Sequence, residues 1–282
     1  MGTDTGGSIR LPASVCNLTG VRPDQGRILI DGVLPVSWSL DTAGPLARTA
    51  GGCALLLDAL SSPPHRLQVR SDIRWDKFTF IVAEDELFWK HTAASIATLV
   101  RAAVKQLKDL GAQVVSMEIG MLSAASRAAG IISLCESVAY HRHYLDEMKE
   151  QFGKDVLRLL ERGEKHSGEE YALARETGRR WRKHLHELVP DRKTIIVTPT
   201  NPVYPPRIND PDSELVRYLL RHTFPFSLSG LPALSLPCGI SEHNLPVGLQ
   251  LVGRDVAGLL AIGMAFQQAT NWHKPAPVLD NL

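Results

Sequence analysis

The sequence predicts a layered α/β fold, and three observations carry that prediction. From about His91 to Leu110 the residues Ile96, Leu99, Val100, Ala103, Leu107 and Leu110 recur on one face of a helix. Gly111 stops that helix and Ala112 to Met117 follows as a strand, a helix–glycine–strand unit that belongs to a sheet covered by helices. The last third of the chain alternates helix and strand and ends in a helix near Gly258–Thr270.

The remaining elements read in order. Residues 1–27 read as loop and turn with short extended pieces. Arg27 to Val36 alternates apolar residues with Gly32 and Pro35, which predicts a short strand and a bend. Thr49 to Leu60 places Cys53, Leu56, Leu57 and Leu60 at helical spacing, and Ser61-Ser-Pro-Pro64 ends that helix because proline lacks the N–H and blocks continuation. Phe78-Thr-Phe-Ile-Val-Ala83 is a strand candidate. Ser123 to Leu188 is long, helical and charged, and Gly153, Gly163 and Gly168 divide it. Thr194-Ile-Ile-Val-Thr198 is a short apolar strand broken by Pro199, and the proline-rich residues 199–213 read as loop. There is no internal repeat, low-complexity segment or evident linker, so residues 1–282 are read as a single domain.

Composition excludes several classes. At 282 residues, 44% hydrophobic and 22% charged, the chain is of soluble globular type and long enough to bury a sizeable core. A formal net charge of +1 gives no electrostatic case for nucleic acid or an anionic membrane. Cys16, Cys53, Cys135 and Cys238 form no CxxC pair and are expected as reduced, buried thiols of a cytoplasmic protein. No apolar run approaches the ~20 residues that span a bilayer, and the first residues lack the basic start and apolar stretch of a signal peptide.

The chemistry concentrates in the first ten residues, Met1-Gly-Thr-Asp-Thr-Gly-Gly-Ser-Ile-Arg10. Gly6 and Gly7 let the backbone turn tightly and leave its N–H groups bare, and the turn delivers the hydroxyl of Ser8. A nest of N–H groups beside a serine can hold the negative oxygen of an acyl-transfer intermediate. Asp4 and Arg10 flank the turn, either to contact substrate or to lock the loop as an ion pair. The segment lacks the Gly-Lys-Ser/Thr ending of a phosphate cradle.

From here the chain resembles a known family. Gly2-Thr-Asp-Thr-Gly-Gly-Ser-Ile-Arg-Leu-Pro-Ala13 is similar to the core of the amidase signature family. The likeness continues in Cys16–Pro23, Gly26-Arg27, Trp38–Thr49, Thr198-Pro-Thr200, Gly230–Gly239, Leu245–Arg254 and Ala265–His273, in the family's order. The resemblance implies a mixed sheet covered by helices and hydrolysis of a carbon–nitrogen amide bond in a small molecule, without metal or organic cofactor. It implies Ser8 as nucleophile and Thr5, Gly6, Gly7 and Ser8 as the oxyanion hole, with Asp4 and Arg10 supporting the loop.

Such enzymes use a Ser–Ser–Lys triad, with the lysine far upstream and the bridging serine in a Gly-Ser-Ser-Gly-Gly-Ser type segment. Neither segment occurs in this sequence, which therefore reads as the C-terminal portion of an amidase-type domain, beginning just before the nucleophile. Three possibilities stay open: a truncated amidase, impaired or inactive alone; half of a split amidase completed by a partner chain; or a non-catalytic subunit or binding relic of an amidotransferase-like assembly. Incomplete burial of the sheet would favour homo-oligomers. Histidines offer no metal-like spacing, and His91, His166, His184 and His186 read as solvated surface. None of the ten lysines sits in a segment like the family's lysine motif. Residues 199–208 follow a strand end and either border a pocket or form an ordinary stiff loop.

Overall fold

The computed structural model describes residues 1–61, 67, 69, 72–207 and 218–274. In chain order the elements are β1 (Gly2–Thr3), α1 (Arg10–Val15), β2 (Thr19–Arg22), β3 (Ala43–Gly44), β4 (Leu46–Ala47), α2 (Ala50–Leu60), β5 (Thr79–Ala83), α3 (Glu86–Trp89), α4 (Ala94–Asp109) and β6 (Gln113–Met117). There follow α5 (Leu122–Met148), α6 (Lys154–Gly163), α7 (Gly168–Leu188), β7 (Thr194–Pro199), α8 (Phe224–Ser229), β8 (Ala233–Ile240), β9 (Pro246–Val252) and α9 (Val256–Ala269).

A seven-stranded sheet runs in the order β4-β2-β8-β9-β7-β5-β6. It is mixed: β7, β5 and β6 are parallel, and every other neighbouring pair is antiparallel. Strand alternation separates two cores, because successive side chains point to opposite faces. Phe80, Ile195, Val197, Leu234, Leu236, Leu249 and Leu251 face α2, α4 and α9. Ile81, Ala83, Ile196, Ala233 and Val252 face α3, α5, α7 and α8. The fold is therefore a mixed sheet with helices on both faces, as the sequence predicts.

Local chemistry sets the helix ends. Thr49 caps α2 by accepting from the Gly52 amide at 3.0 Å. Ser167 and Glu170 form a reciprocal capping box at the start of α7 (3.1 and 2.9 Å). Gly111, at φ +102°, turns the chain out of α4. The buried face of α4 is Ile96, Val100, Ala103 and Leu107, while Leu99 and Leu110 lie half-buried at its margins.

Several expectations are corrected. Residues 1–27 hold a helix, α1, where the sequence reads as loop and turn, while β2, second in the sheet, is one of the expected short extended pieces. Six residues are too few to show a helical period, and α1 is fixed by tertiary contacts of Arg10 and Ser14. Arg27 to Val36 forms no strand, because the segment pairs with no sheet edge. The helix of residues 91–110 begins at Ala94, and β7 runs through Pro199. Cys16 is exposed and Cys135 half-buried; of the four free thiols only Cys53 and Cys238 are buried. His184 is half-buried against the Ile119 carbonyl at 2.6 Å rather than solvated. Residues 208–213 of the expected proline-rich loop lie outside the described residues.

Close helix packing gives a first testable result. A Cβ on Gly163 would lie 2.6 Å from the Leu134 carbonyl oxygen of α5 and 2.6 Å from the Val138 side chain. Overpacking against backbone costs about 1–3 kcal/mol, against which alanine's helix preference returns about 1 kcal/mol. Gly163→Ala is thus expected to lose up to about 2 kcal/mol. Gly130→Ala in α5, with no atom within 4 Å of the new methyl, is expected to gain up to about 1 kcal/mol. Urea unfolding of the two variants checks the opposite signs.

Candidate active site

The opening turn lies over a buried polar strip of the sheet. Across the end of β7, β8 and β9 this strip comprises Thr198, Ser235, Gly248 and Gln250, with Thr200 just beyond β7, all buried. Thr200 and Ser235 share a hydrogen bond at 2.9 Å, and Gln250 Nε2 donates to Thr198 Oγ1 at 2.8 Å. Gly248 leaves room for Ser14, whose Cβ would be 2.5 Å from a methyl there. Polar residues on this stretch of sheet meet a polar helix, so the apolar period of a buried strand is broken.

Asp4 and Arg10 are both fully buried and paired with each other. Arg10 Nε donates to Asp4 Oδ2 at 3.0 Å and Arg10 Nη2 to Asp4 Oδ1 at 2.9 Å, a two-pronged pair. Arg10 also donates to Gln250 Oε1 at 2.8 Å, to the Thr223 carbonyl at 3.1 Å and to Ser227 Oγ at 2.8 Å. Arg22, which the sequence does not single out, completes the cluster by donating to the Asp4 carbonyl and to Leu40 O, the latter at 2.7 Å. Burial alone would raise the Asp4 carboxyl, but the charges of Arg10 and Arg22 and the hydrogen bonds from Arg10 and the Ile9 amide hold it at about 2. Burial brings Arg22 down to about 10 despite the attraction of Asp4.

This cluster pins the turn at both ends. Asp4 N donates to Thr42 O at 2.8 Å, and Asp4 Oδ2 accepts from the Ile9 amide at 3.3 Å. Between them Thr5 Oγ1 donates to Asp41 Oδ1 at 2.5 Å, and Asp41 Oδ2 accepts from the amides of Val36 and Ser37. Gly7 takes φ +142°, a backbone conformation that favours glycine. The backbone amides of Thr5, Gly6, Gly7 and Ser8 donate to no partner among the described residues. Ser8 is exposed, and its hydroxyl likewise makes no hydrogen bond among them. The turn thus sets four bare N–H groups beside one accessible hydroxyl.

The proton-moving side is different in kind. All ten lysines of the chain are exposed. A lysine that accepts a proton near neutral pH needs burial or a neighbouring cation. His222 is buried, with its ring nitrogens 3.2 Å from Pro199 O and 3.3 Å from Leu87 O, and burial lowers it to about 3. An open groove of about 410 Å³ at the C-terminal ends of β5 and β6 does not include Ser8; of its charged residues, which also include Asp85, Glu118 and Arg221, Glu86 and Lys90 are paired with each other. Among the described residues no group of three or more His, Cys, Asp or Glu could hold a metal, and no helix is long and apolar enough to cross a membrane.

Sequence reasoning missed Arg22, Thr223, Ser227 and Gln250. Their contacts with Asp4 and Arg10 span up to 240 positions, a separation that no local pattern signals.

Known proteins give this geometry a context. A sequence profile of the family Amidase matches residues 1–257. An amidase of Pseudomonas putida is 33% identical over an alignment covering 99% of this chain and 64% of that protein. A glutamyl-tRNA(Gln) amidotransferase chain of Cupriavidus taiwanensis, one subunit of that enzyme, is 33% identical, covering 98% of this chain and 65% of its own length. Among solved structures, an amidase crystal structure superposes with a TM-score of 0.85 at 27% identity, covering 95% of this chain and 62% of that one. The corresponding glutamyl-tRNA(Gln) amidotransferase chain of Thermotoga maritima superposes with a TM-score of 0.79 at 27% identity, covering 99% and 65%. The chain spans under two thirds of the length of these relatives, while nearly all of its own length aligns with them. By sequence and fold alike, this chain belongs to the amidase family.

Proposed function

We propose that the chain carries the nucleophile and the oxyanion donors of an amide-cleaving acyl transfer on a small-molecule substrate. The observation that carries this reading is the pinned turn that keeps four amides unpartnered beside the exposed Ser8 hydroxyl. Ser8 Oγ would attack the amide carbonyl carbon while the amides of Thr5, Gly6, Gly7 and Ser8 receive the charge that develops on oxygen. The C–N bond then breaks, the nitrogen leaves as ammonia or an amine after taking up a proton, and water hydrolyses the acyl-enzyme to the acid. Asp4 and Arg10 act behind the turn by fixing its ends.

The same reading makes this chain slow by itself. A serine hydroxyl is a poor nucleophile without a positioned base, and the described residues place none on Ser8. The uniform exposure of the lysines supports a relay supplied from outside these residues, with residues 1–282 as the C-terminal part of an amidase-type domain. Relatives named as one subunit of an amidotransferase favour one further form of it, in which a partner chain completes the site.

An activated ester tests the nucleophile directly. Incubated with p-nitrophenyl acetate, the chain is expected to gain one acetyl group on the peptide containing Ser8, and Ser8→Ala to gain none. Turnover of a simple anilide is expected to stay below detection. Acetylation confined to other residues would overturn the role of Ser8, and brisk anilide turnover by the chain alone would overturn the missing relay.

A further inference from the structure

Building on that acyl-transfer reading, we infer that Thr223 is a positioning residue for it: its hydroxyl fixes and polarises the Gly6–Gly7 peptide, so that the Gly7 N–H is a preset oxyanion donor. Thr223 lies 217 positions from Gly6, between the short 3₁₀ turn Leu220–His222 and α8. Its Oγ1 donates to the Gly6 carbonyl. A Cβ on Gly7 would lie 2.3 Å from that same oxygen, so the hydroxyl sits tight against both residues of the peptide. The ring of Phe224 closes the other side, 2.8 Å from where a Gly6 methyl would be.

Thr223 is itself held by the buried cluster. Its carbonyl accepts from Arg10 at 3.1 Å, and the neighbouring His222 carbonyl accepts from Gln250 Nε2 at 2.9 Å. Asp4, Arg10, Thr223 and Gly6 therefore form one chain of contacts from the ends of the turn to its middle.

The four amides are consequently not equal. The orientation of an N–H follows from the carbonyl of its own peptide, since the unit is planar. Gly6 O is bound by Thr223 and Gly7 O accepts from the Leu11 amide at 2.8 Å, which fixes the N–H groups of Gly7 and Ser8. Thr5 O has no partner among the described residues, so the Gly6 N–H has no comparable anchor. A carbonyl that accepts a hydrogen bond also makes the N–H across its peptide a stronger donor. Asp4 O is likewise bound, by Arg22, so Thr5, Gly7 and Ser8 carry the anchored N–H groups, and Thr223 serves that of Gly7.

Phenylboronic acid, which adds to a serine hydroxyl as a tetrahedral anion, tests this without turnover. Ser8→Ala is expected to abolish its binding, Thr223→Val to weaken it about tenfold, well short of losing a whole oxyanion donor, and Thr223→Ser to restore it. In isotope-labelled protein, Thr223→Val is expected to shift the Gly6 carbonyl carbon and Gly7 amide proton, and Thr223→Ser to leave them near their original positions. Should Thr223→Val not fold, Thr223→Ala carries the same comparison. Unchanged binding by Ser8→Ala would overturn the acyl-transfer reading itself. Loss in Ser8→Ala with full binding in Thr223→Val, or unmoved Gly6 and Gly7 resonances, would overturn only the role of Thr223.

Discussion

Asp4→Asn is expected to destabilise the fold by about 3–5 kcal/mol at neutral pH, because it leaves buried guanidinium groups without their anion. Arg10 and Asp4 are fully inaccessible and Arg22 nearly so, which keeps solvent screening weak. Against a typical total of about 5–15 kcal/mol the change is severe. An asparagine keeps the shape and one acceptor oxygen, but turns an NH2 group toward donors. Loss of the Asp4 acceptors would also release the Ile9 amide and the Arg22 contact, so both ends of the turn that carries Ser8 would loosen together.

The pH dependence identifies the cause. Asp4 falls from an ordinary value of 3.8 to about 2 in the folded chain. A depressed carboxyl contributes stability that is complete above its unfolded value and is lost as pH falls through the folded one. The window therefore runs from about pH 4 down to pH 2, and the shift corresponds to about 2 kcal/mol. Other carboxylates titrate there too, among them the exposed Glu176, which Arg179 and Arg180 hold at about 2. Their contributions cancel in the difference between wild type and Asp4→Asn. Urea unfolding between pH 2 and 7 is expected to show that difference shrinking by about 2 kcal/mol toward pH 2. A difference constant with pH would mean that the pair does not carry the stability.

The parts of the fold legible in sequence are those whose signal is local. Helix α4 declares itself through Ile96, Val100, Ala103 and Leu107, and Gly111 marks its end. The divisions at Gly153, Gly163 and Gly168 correspond to helix boundaries for the same reason. Helix α1 is hidden because it is short and held by distant partners, and β2 shows only as a short extended piece whose place in the sheet is set by distant strands. Gly20 shows the point: it pairs with Ser235 on one side and Leu46 on the other, and a methyl there would meet Ala13 at 2.6 Å. The site divides likewise. The turn itself is visible as a string of glycines around Ser8, whereas its anchors Arg22, Thr223 and Gln250 come from other strands and loops. Residues 27–36 look like a strand because apolar residues alternate there, but Leu29, Val33, Leu34 and Val36 are exposed. Polar bonds hold the chain just beyond them, where Glu136 accepts from Ser37, Ser39, Tyr171 and Arg175.

Gly7→Ala is expected to damage the site and the fold at once. At φ +142° an L side chain is strained whatever the space, at a cost of about 1–3 kcal/mol. Space is also lacking, since the new methyl would lie 2.3 Å from Thr223 Oγ1 and 2.9 Å from its Cβ. Overpacking of this kind adds about 1–3 kcal/mol, so the total is roughly 2–6 kcal/mol. The two contributions separate in a double-mutant cycle. Thr223→Ala removes the nearer atom, so Gly7→Ala made in that background is expected to cost less than in the wild type, by about 1 kcal/mol or more. The strain of the backbone remains in both backgrounds and sets the rest of the effect. Boronate binding is expected to fall by more than about 100-fold in Gly7→Ala, because the peptide that bears the donor must rotate to relieve the clash. Additive costs in the cycle would place the whole effect in the backbone conformation, with Thr223 as a bystander.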